Sequence, residues 1–353
     1  VAQPASAHGF GERTELPVPL GYFLLGAGVA VALSFALVGL FIRSDPERSS
    51  YWRYNLFQHR LLRIIMPNPL LLMPFRIVSV LLLALVIATG LVGEQTPSLN
   101  FAPTFVWIIW WVGMAFVAAL AGNLWALINP WNILFAWGEK LYGLFRPGRS
   151  LSLNLTYPRA WGIWPGLILF ACFTWIQDAF PQSAFPDRVA VMTIVYTVIT
   201  LGGMTLFGKH QWLRHGEAFS IVYNYLAKFA PTEVRVGEPD QCQTCTGDCL
   251  AEDGECVNCY ECFEKAVSRE LDIRPFAMGL SRNERITNDM LAMVVLLIAT
   301  VTFDGFSATS AWVDFQSYTV DTFSGLVDYQ AFNSLTVADT TGVLLFPVAF
   351  FLV

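Results

Sequence analysis

Charged residues are scarce in this 353-residue chain: 14% are Asp, Glu, Lys or Arg, against roughly 25% in a soluble globular domain. An ordinary water-facing surface is thereby excluded. Histidine is scarcer, four in all, which leaves little material for a hydrolytic metal site of the His-and-carboxylate kind. His210 and His215 are five positions apart and would project about 140° apart on a helix of 3.6 residues per turn. No G-x-S-x-G elbow or other nucleophile motif occurs. The apolar runs carry almost no ionisable residue, with Asp178 near the end of one. This argues against a pump or carrier, whose relays sit within the membrane. The runs also lack a pair of histidines to ligate a haem. Nucleic acid is not expected as a partner.

Hydrophobic residues, by contrast, make up 55% of the chain. Uncharged apolar runs of about 18 residues or more read as membrane-spanning helices, because ~20 residues at 1.5 Å rise cross the hydrocarbon core. Such runs lie near 20–42, 77–93, 104–122, 161–180, 189–207 and 287–303. A seventh begins at Gly342 and ends with the chain; since the chain also opens on Val1, it reads as a fragment or a processed and truncated chain. Barrel strands would alternate, whereas Ile77–Gly93 is apolar all round. The expectation is an all-α, polytopic transmembrane helix bundle of at least seven helices, the last one truncated. Aromatics at run ends, as in Phe105–Trp111, fit interfacial anchoring. Leu124–Trp137 has only 14 residues with Asn-Pro at its centre, and reads as an interfacial or re-entrant segment.

Of the 21 basic residues, all but Arg13 and Arg188 fall in 43–76, 129–160 and 208–285. The positive-inside rule then places the N-terminus outside and 208–285 in the cytoplasm. The expected organisation is an outside segment 1–19, five transmembrane helices within 20–207 and a cytoplasmic loop 208–286. A transmembrane helix 287–303, an outside acidic loop 304–341 and the start of a further helix at 342–353 follow. A bacterial inner (plasma) membrane protein, multi-pass and surrounded by the lipid bilayer, is implied. Tyr51–Met66 sets Arg53, Arg60 and Arg63 among apolar residues, as in a connector with snorkelling arginines or a basic helix on the inner membrane surface.

Near the start, Ala5-Ser6-Ala7 has the small-x-small pattern of a signal-peptidase site, so 1–7 reads as a signal-peptide remnant. Cleavage there would expose His8, whose amine and ring can chelate copper, but no second outside imidazole is expected to complete such a site. Asp304, Asp314, Asp321, Asp328 and Asp339 could join His8 around a metal, yet their spacing fits no ligand pattern. Four stretches, Ala7–Leu20, Gly122–Leu134, His215–Pro231 and Thr302–Trp312, resemble in sequence and order the bacterial polytopic membrane proteins commonly labelled fenitrothion hydrolase. The resemblance is spread over nearly the whole chain. It implies a shared polytopic fold and, through the label, organophosphate ester hydrolysis; it transfers no catalytic residue.

Against this apolar background, six of the seven cysteines crowd into Cys242–Cys262 with the order C-x2-C-x3-C-x6-C-x2-C-x2-C. In a cytoplasm that keeps thiols reduced, Cys242, Cys245, Cys249, Cys256, Cys259 and Cys262 read as metal ligands before disulfides. Zinc is the first choice: Cys242 and Cys245 with Cys256/Cys259 or Cys259/Cys262 would close a four-sulfur site. An iron–sulfur cluster is the second, because Cys256–Cys262 resembles the C-x2-C-x2-C opening of a bacterial ferredoxin motif. Ala266 and Val267 stand where the next cysteine and proline would be, so the cluster would have to borrow Cys242, Cys245 or Cys249. Thiol exchange or a disulfide ranks third. From 236 to 264 there are eight acids and no base, so thiolates there depend on the metal for stabilisation. Cys172 reads as a small core residue. The expected protein is thus a fenitrothion hydrolase-like membrane protein with a cytoplasmic thiolate metal site, structural or docking a cytoplasmic or membrane protein partner. A redox subunit carrying an iron–sulfur cluster and a membrane-bound organophosphate ester hydrolase are the alternatives.

Overall fold

Six helices in the computed structural model are long and apolar enough to cross a membrane: Leu71–Val92, Phe101–Leu120, Arg159–Asp178, Pro186–Phe207, Asn288–Ser307 and Leu335–Leu352. The structure describes residues 29, 51–65, 69–237, 242, 245, 256–281, 286–323 and 334–352. The expected helix 20–42 (Val29 apart) and the segment 1–19 with His8 lie outside the described residues. The helices and strands named below belong to the unit Trp52–Val353. They are β1 (Tyr54–Asn55), α1 (Pro69–Val92), α2 (Phe101–Leu120), α3 (Pro130–Phe145), α4 (Trp164–Asp178), α5 (Pro186–Phe207), α6 (Lys209–His215), α7 (Ala218–Leu226), β2 (Thr232–Val236), β3 (Cys256–Val257), α8 (Tyr260–Lys265), β4 (Arg269–Ile273), α9 (Asn288–Ser307), α10 (Ser310–Phe323) and α11 (Ser334–Leu352).

Leu81, Phe116, Ile168, Val198, Val301 and Phe351 all point outward and are exposed, as suits helices whose surroundings are hydrocarbon. Between helices the driving force is close packing rather than burial from water. Thus α1 meets α5 where Gly90 leaves no room for a side chain: a Cβ there would stand 2.6 Å from Ala190 Cβ and from the Pro186 carbonyl oxygen. Indole donors also tie helices together, Trp131 Nε1 to Thr197 Oγ1 (2.9 Å) and Trp175 Nε1 to Thr340 Oγ1 (3.0 Å).

Within α2 the stretch Thr104–Val112 winds as a π-helix, a rare form at this length. Its wider turns bring the neighbouring Trp110 and Trp111 both onto the inner side, Trp110 at 4.3 Å from the Phe219 ring and Trp111 at 5.2 Å from Phe173. The Asn129-Pro130 break separates the turn Trp125–Ile128 from α3, as its chemistry requires. Pro130 opens α3, and Asn129 Oδ1 accepts from the Trp131 and Asn132 amides.

These aromatics enclose a carboxylate. Glu217 is fully buried and caps the start of α7, its oxygens accepting from the Phe219 (3.2 Å) and Ser220 (2.7 Å) amides. Tyr196 OH (2.5 Å), Trp125 Nε1 (3.3 Å) and Asn129 Nδ2 (3.2 Å) donate to it from the surrounding helices. Among the described residues five donors face the group, enough to satisfy both carboxylate oxygens.

Several expected boundaries move. The segment 208–286 is not a loop. It contains α6 and α7, with Trp212, Phe219, Ile221, Val222 and Tyr223 in the bundle's core. It also supplies most of an antiparallel sheet, order β1-β4-β2-β3, so the chain is mostly helical rather than all-α. β1 comes from Tyr51–Met66, which is therefore not one surface helix: Asn55 pairs with Asp272, its side chain accepts from the Phe57 amide, and Phe57 is buried near Phe263. The segment 304–341 holds α10 and the first turns of α11, whose threonine hydroxyls bond back to the helix, as Thr341 Oγ1 does to the Val337 carbonyl (2.8 Å). That internal satisfaction lets polar residues continue an apolar helix, so α11 begins well before Gly342.

Candidate metal centre

The inner face of the sheet is charged. Alternation along β2 buries Glu233 and Arg235 beside Asp272 of β4. Arg274 binds Glu233 (Nη1 to Oε2, 2.6 Å) and donates to the carbonyls of Ala227, Lys228 and Ala230 just past α7. Arg235 Nε also reaches Glu233 (2.6 Å) and lies 3.5 Å from Asp272. This network fastens the sheet to the bundle and fixes the strands that carry the thiols. Burial, then the neighbouring Glu270, push the Asp272 carboxyl up to about 6, with Arg235 and Arg53 opposing.

Five of the six predicted thiol ligands are described; Cys249 lies outside the described residues. Cys256 sits in β3 opposite Val236, Cys259 caps α8, and Cys262 lies in the first turn of α8. Cys242 and Cys245 form a turn, the Cys245 amide donating to the Cys242 carbonyl (3.3 Å). The knuckle from Cys256 to Cys259 depends on a residue the spacing did not single out. Asn258 takes the left-handed conformation (φ 55°), which asparagine tolerates better than most side chains. Its amide donates to the Val234 carbonyl (2.8 Å) and its Oδ1 accepts from the Val234 amide (3.1 Å).

The sulfurs converge in two overlapping triangles. Cys242, Cys256 and Cys262, all buried, form one; Cys245, Cys259 and Cys262 form the other, with the sulfurs in each within 4.8 Å of one another. Sulfurs sharing one tetrahedral zinc at ~2.3 Å stand ~3.8 Å apart, so either group could hold an ion, with a small adjustment and a fourth ligand. Cys245 and Cys262 are themselves joined as a disulfide. A disulfide sulfur is not a thiolate, so that bond and ligation by Cys262 exclude each other. The pair is 17 residues apart, and closing such a loop stabilises the fold by about 3 kcal/mol in the chain-entropy account. Val236, Ala266 and Phe263 pack around the sulfurs, and Arg269 secures the end of α8 through the Ala266 (2.8 Å) and Glu264 (2.7 Å) carbonyls.

Other residues considered as ligands are dispersed. His210 Nε2 lies 4.0 Å from Glu264, and burial, then Lys209, push its imidazole below the usual range. His215 is lowered chiefly by burial; its Nδ1 bonds the Gln211 carbonyl (3.0 Å) and its ring stacks on Tyr157. Asp339 Oδ1 accepts from Trp312 Nε1 (3.0 Å) and Gln316 Nε2 (2.7 Å). Buried Asp178 lies within electrostatic reach of Asp304 and Asp339. Asp314 and Asp321 lie on α10, and Asp328 lies outside the described residues. Among the described residues, the side-chain groups close enough to hold a metal are the two cysteine triangles. Cys172 is not a core residue but an exposed one on α4, where a thiol is apolar enough to face lipid. No family model matches this chain, and neither a curated protein nor a solved structure does so.

Proposed function

We propose that this is an integral membrane protein whose sheet-and-α8 lobe is folded around a thiolate-bound metal ion, with zinc as the ion, and that the ordered lobe docks a protein partner on the cytoplasmic face. The observation that carries this reading is the sharing of Cys262 by two sulfur triangles that draw on both ends of the cysteine-rich stretch. An all-sulfur donor set suits zinc. Compact triangles suit a single ion better than an iron–sulfur cube, which spreads its thiolates over several irons. Metal ligation supplies folding free energy to a segment with few apolar residues, leaving a defined surface where an unmetallated strand would stay open. Orientation follows from the basic residues gathered on the lobe's side of the chain. The four stretches resembling the fenitrothion hydrolase group support a shared polytopic fold; the scattered histidines give ester hydrolysis no comparable support.

The test is to purify the full chain anaerobically under reducing conditions and measure zinc, iron and acid-labile sulfide per chain. The expected result is zinc without sulfide, and its loss in Cys262→Ser with protease sensitivity confined to 232–281 while membrane insertion persists. Oxidation by a small disulfide should expel the zinc as Cys245 and Cys262 join: one thiolate attacks the reagent and releases half of it as thiol, and the other attacks the mixed disulfide and releases the second half. Iron with sulfide would replace this reading by the redox-subunit one. Neither metal, with Cys262→Ser unchanged, would overturn it in favour of thiol exchange.

A further inference from the structure

A cavity of about 230 Å³ lies where α1, α3, α6 and α8 meet, lined by Arg76, Asn132, Trp137, Lys140, Lys209 and Glu264 among others. It joins the bundle to the cysteine lobe, because Glu264 follows Cys262 on α8 while Arg76 lies in the first turns of the span Leu71–Val92. Three cations face one carboxylate. Lys209 Nζ is 3.9 Å from Glu264 Oε2, a loose pair that His210 shares at 4.0 Å. Arg76 and Lys140 have no ion-pair partner among the described residues, and the Arg76 Nε is buried with no hydrogen-bond acceptor.

A buried guanidinium donor left unsatisfied costs free energy that an anion in the cavity would recover. The larger groove nearby, lined by Arg63, Lys265 and Arg269, does not share this feature. There Lys265 already binds Glu261 (2.6 Å) and Arg269 is taken up by backbone carbonyls. Drug-sized ligands need ~300 Å³ or more, so the cavity is too small for them but ample for one tetrahedral oxyanion. Arginine presents a fork of donors that matches phosphate oxygens, and lysine adds mobile charge.

We infer that Arg76, Lys140 and Lys209 form a binding site for a phosphate group, carried either on an anionic lipid headgroup or on a soluble phosphate ester. The cavity's place at the end of a span is the depth at which lipid phosphates lie. Glu264 competes with the ligand for Lys209, so the site reads out the position of α8, and with it the state of the cysteine centre. The inference stands on the cavity's own side chains and does not depend on which metal the thiols take.

The test uses the delipidated full chain in neutral detergent. Native mass spectrometry with phosphatidylglycerol, and with phosphatidylcholine as control, probes the lipid source. Titration with inorganic phosphate and glycerol phosphate, followed by ³¹P line broadening, probes the soluble one. Saturable binding in either arm is expected and identifies the source. R76Q and K140Q should each weaken it about tenfold or more, the cost of one charge-assisted contact. R76K and K140R should retain most of it. E264Q should instead tighten binding, a change that a loss of structure would not produce. Metal content and gel-filtration behaviour report folding of each variant. Absence of saturable binding in both arms, or an R76Q/K140Q double variant that binds as the wild type does, would overturn the proposal.

Discussion

Replacing Glu217 tests whether a buried, fully hydrogen-bonded carboxylate organises the bundle. Its Oε2 faces three donors, Trp125 Nε1, Asn129 Nδ2 and the Ser220 amide, and its Oε1 faces two, Tyr196 OH and the Phe219 amide. In Glu217→Gln the side-chain carbonyl can serve the first set only by turning its NH2 group toward the second. The Phe219 amide then loses its acceptor. Tyr196 must reverse its hydroxyl, although its oxygen already accepts from the Ala218 amide at 3.2 Å. Two disrupted contacts at ~1–2 kcal/mol each give an expected loss of about 2–4 kcal/mol. Glu217→Ala leaves five donors without acceptors and should cost more, on the order of 5 kcal/mol or above even after relaxation. Tyr196→Phe removes one donor and should cost about 1–2 kcal/mol. Its combination with Glu217→Gln should be less harmful than the sum, because the two residues touch. The assay is chemical or thermal unfolding in detergent followed by tryptophan fluorescence, with Trp125 and Trp131 rings 5.7 Å apart beside the site. If Glu217→Ala unfolds within about 1 kcal/mol of the wild type, or Glu217→Gln proves the more damaging, the carboxylate does not hold these helices together.

Arg274→Ala strips a buried partner from Glu233 and three carbonyls past α7 of their donor. It should destabilise the lobe by about 3–5 kcal/mol, read as proteolysis within 232–281 while the spans stay protected; an intact lobe would show that Arg235 suffices. Asp272 gives the lobe a pH dependence. Its folded pKa of about 6 lies above the ordinary carboxyl value of 3.8, so its contribution is fully present below about pH 4 and lost as pH rises through 6. Asp272→Asn should therefore abolish about 2 kcal/mol of that slope between pH 4 and 7, measured by urea unfolding at each pH. A slope unchanged by the substitution would mean that other groups carry it.

The membrane class and the cysteine cluster were legible in the sequence because each rests on local composition. An apolar run near 20 residues crosses a bilayer whatever its neighbours are, and the six spans coincide with five of the expected runs and with the run expected from Gly342, which starts earlier. Cysteine pairs with two residues between them lie close together through the chain itself, and the sulfurs of Cys242, Cys245, Cys256, Cys259 and Cys262 fall into two overlapping groups. What composition could not decide is set by contacts between distant segments. The nine residues of α7 are too few to signal a buried helix, and they enter the core only because Trp110, Trp111 and Phe173 close around Phe219 and Glu217 is met by donors from elsewhere in the chain. β2 reads "TEVRV", with its charges at alternating positions as on a solvent face, yet Glu233 and Arg235 are buried because Arg274 and Asp272 pair with them from beyond the cysteines. α11 extends through "SLTVADTT" because Thr341 satisfies its hydroxyl within the helix, Thr340 accepts from Trp175 Nε1, and its neighbours bury Thr336 and Ala338. The sequence alone therefore determined the membrane class and the crowding of the cysteines into one short stretch, which are local properties. Only the tertiary structure decided which charges are buried, where Cys262 is shared and which cations lack an ion-pair partner among the described residues, because segments far apart in the chain determine each of these.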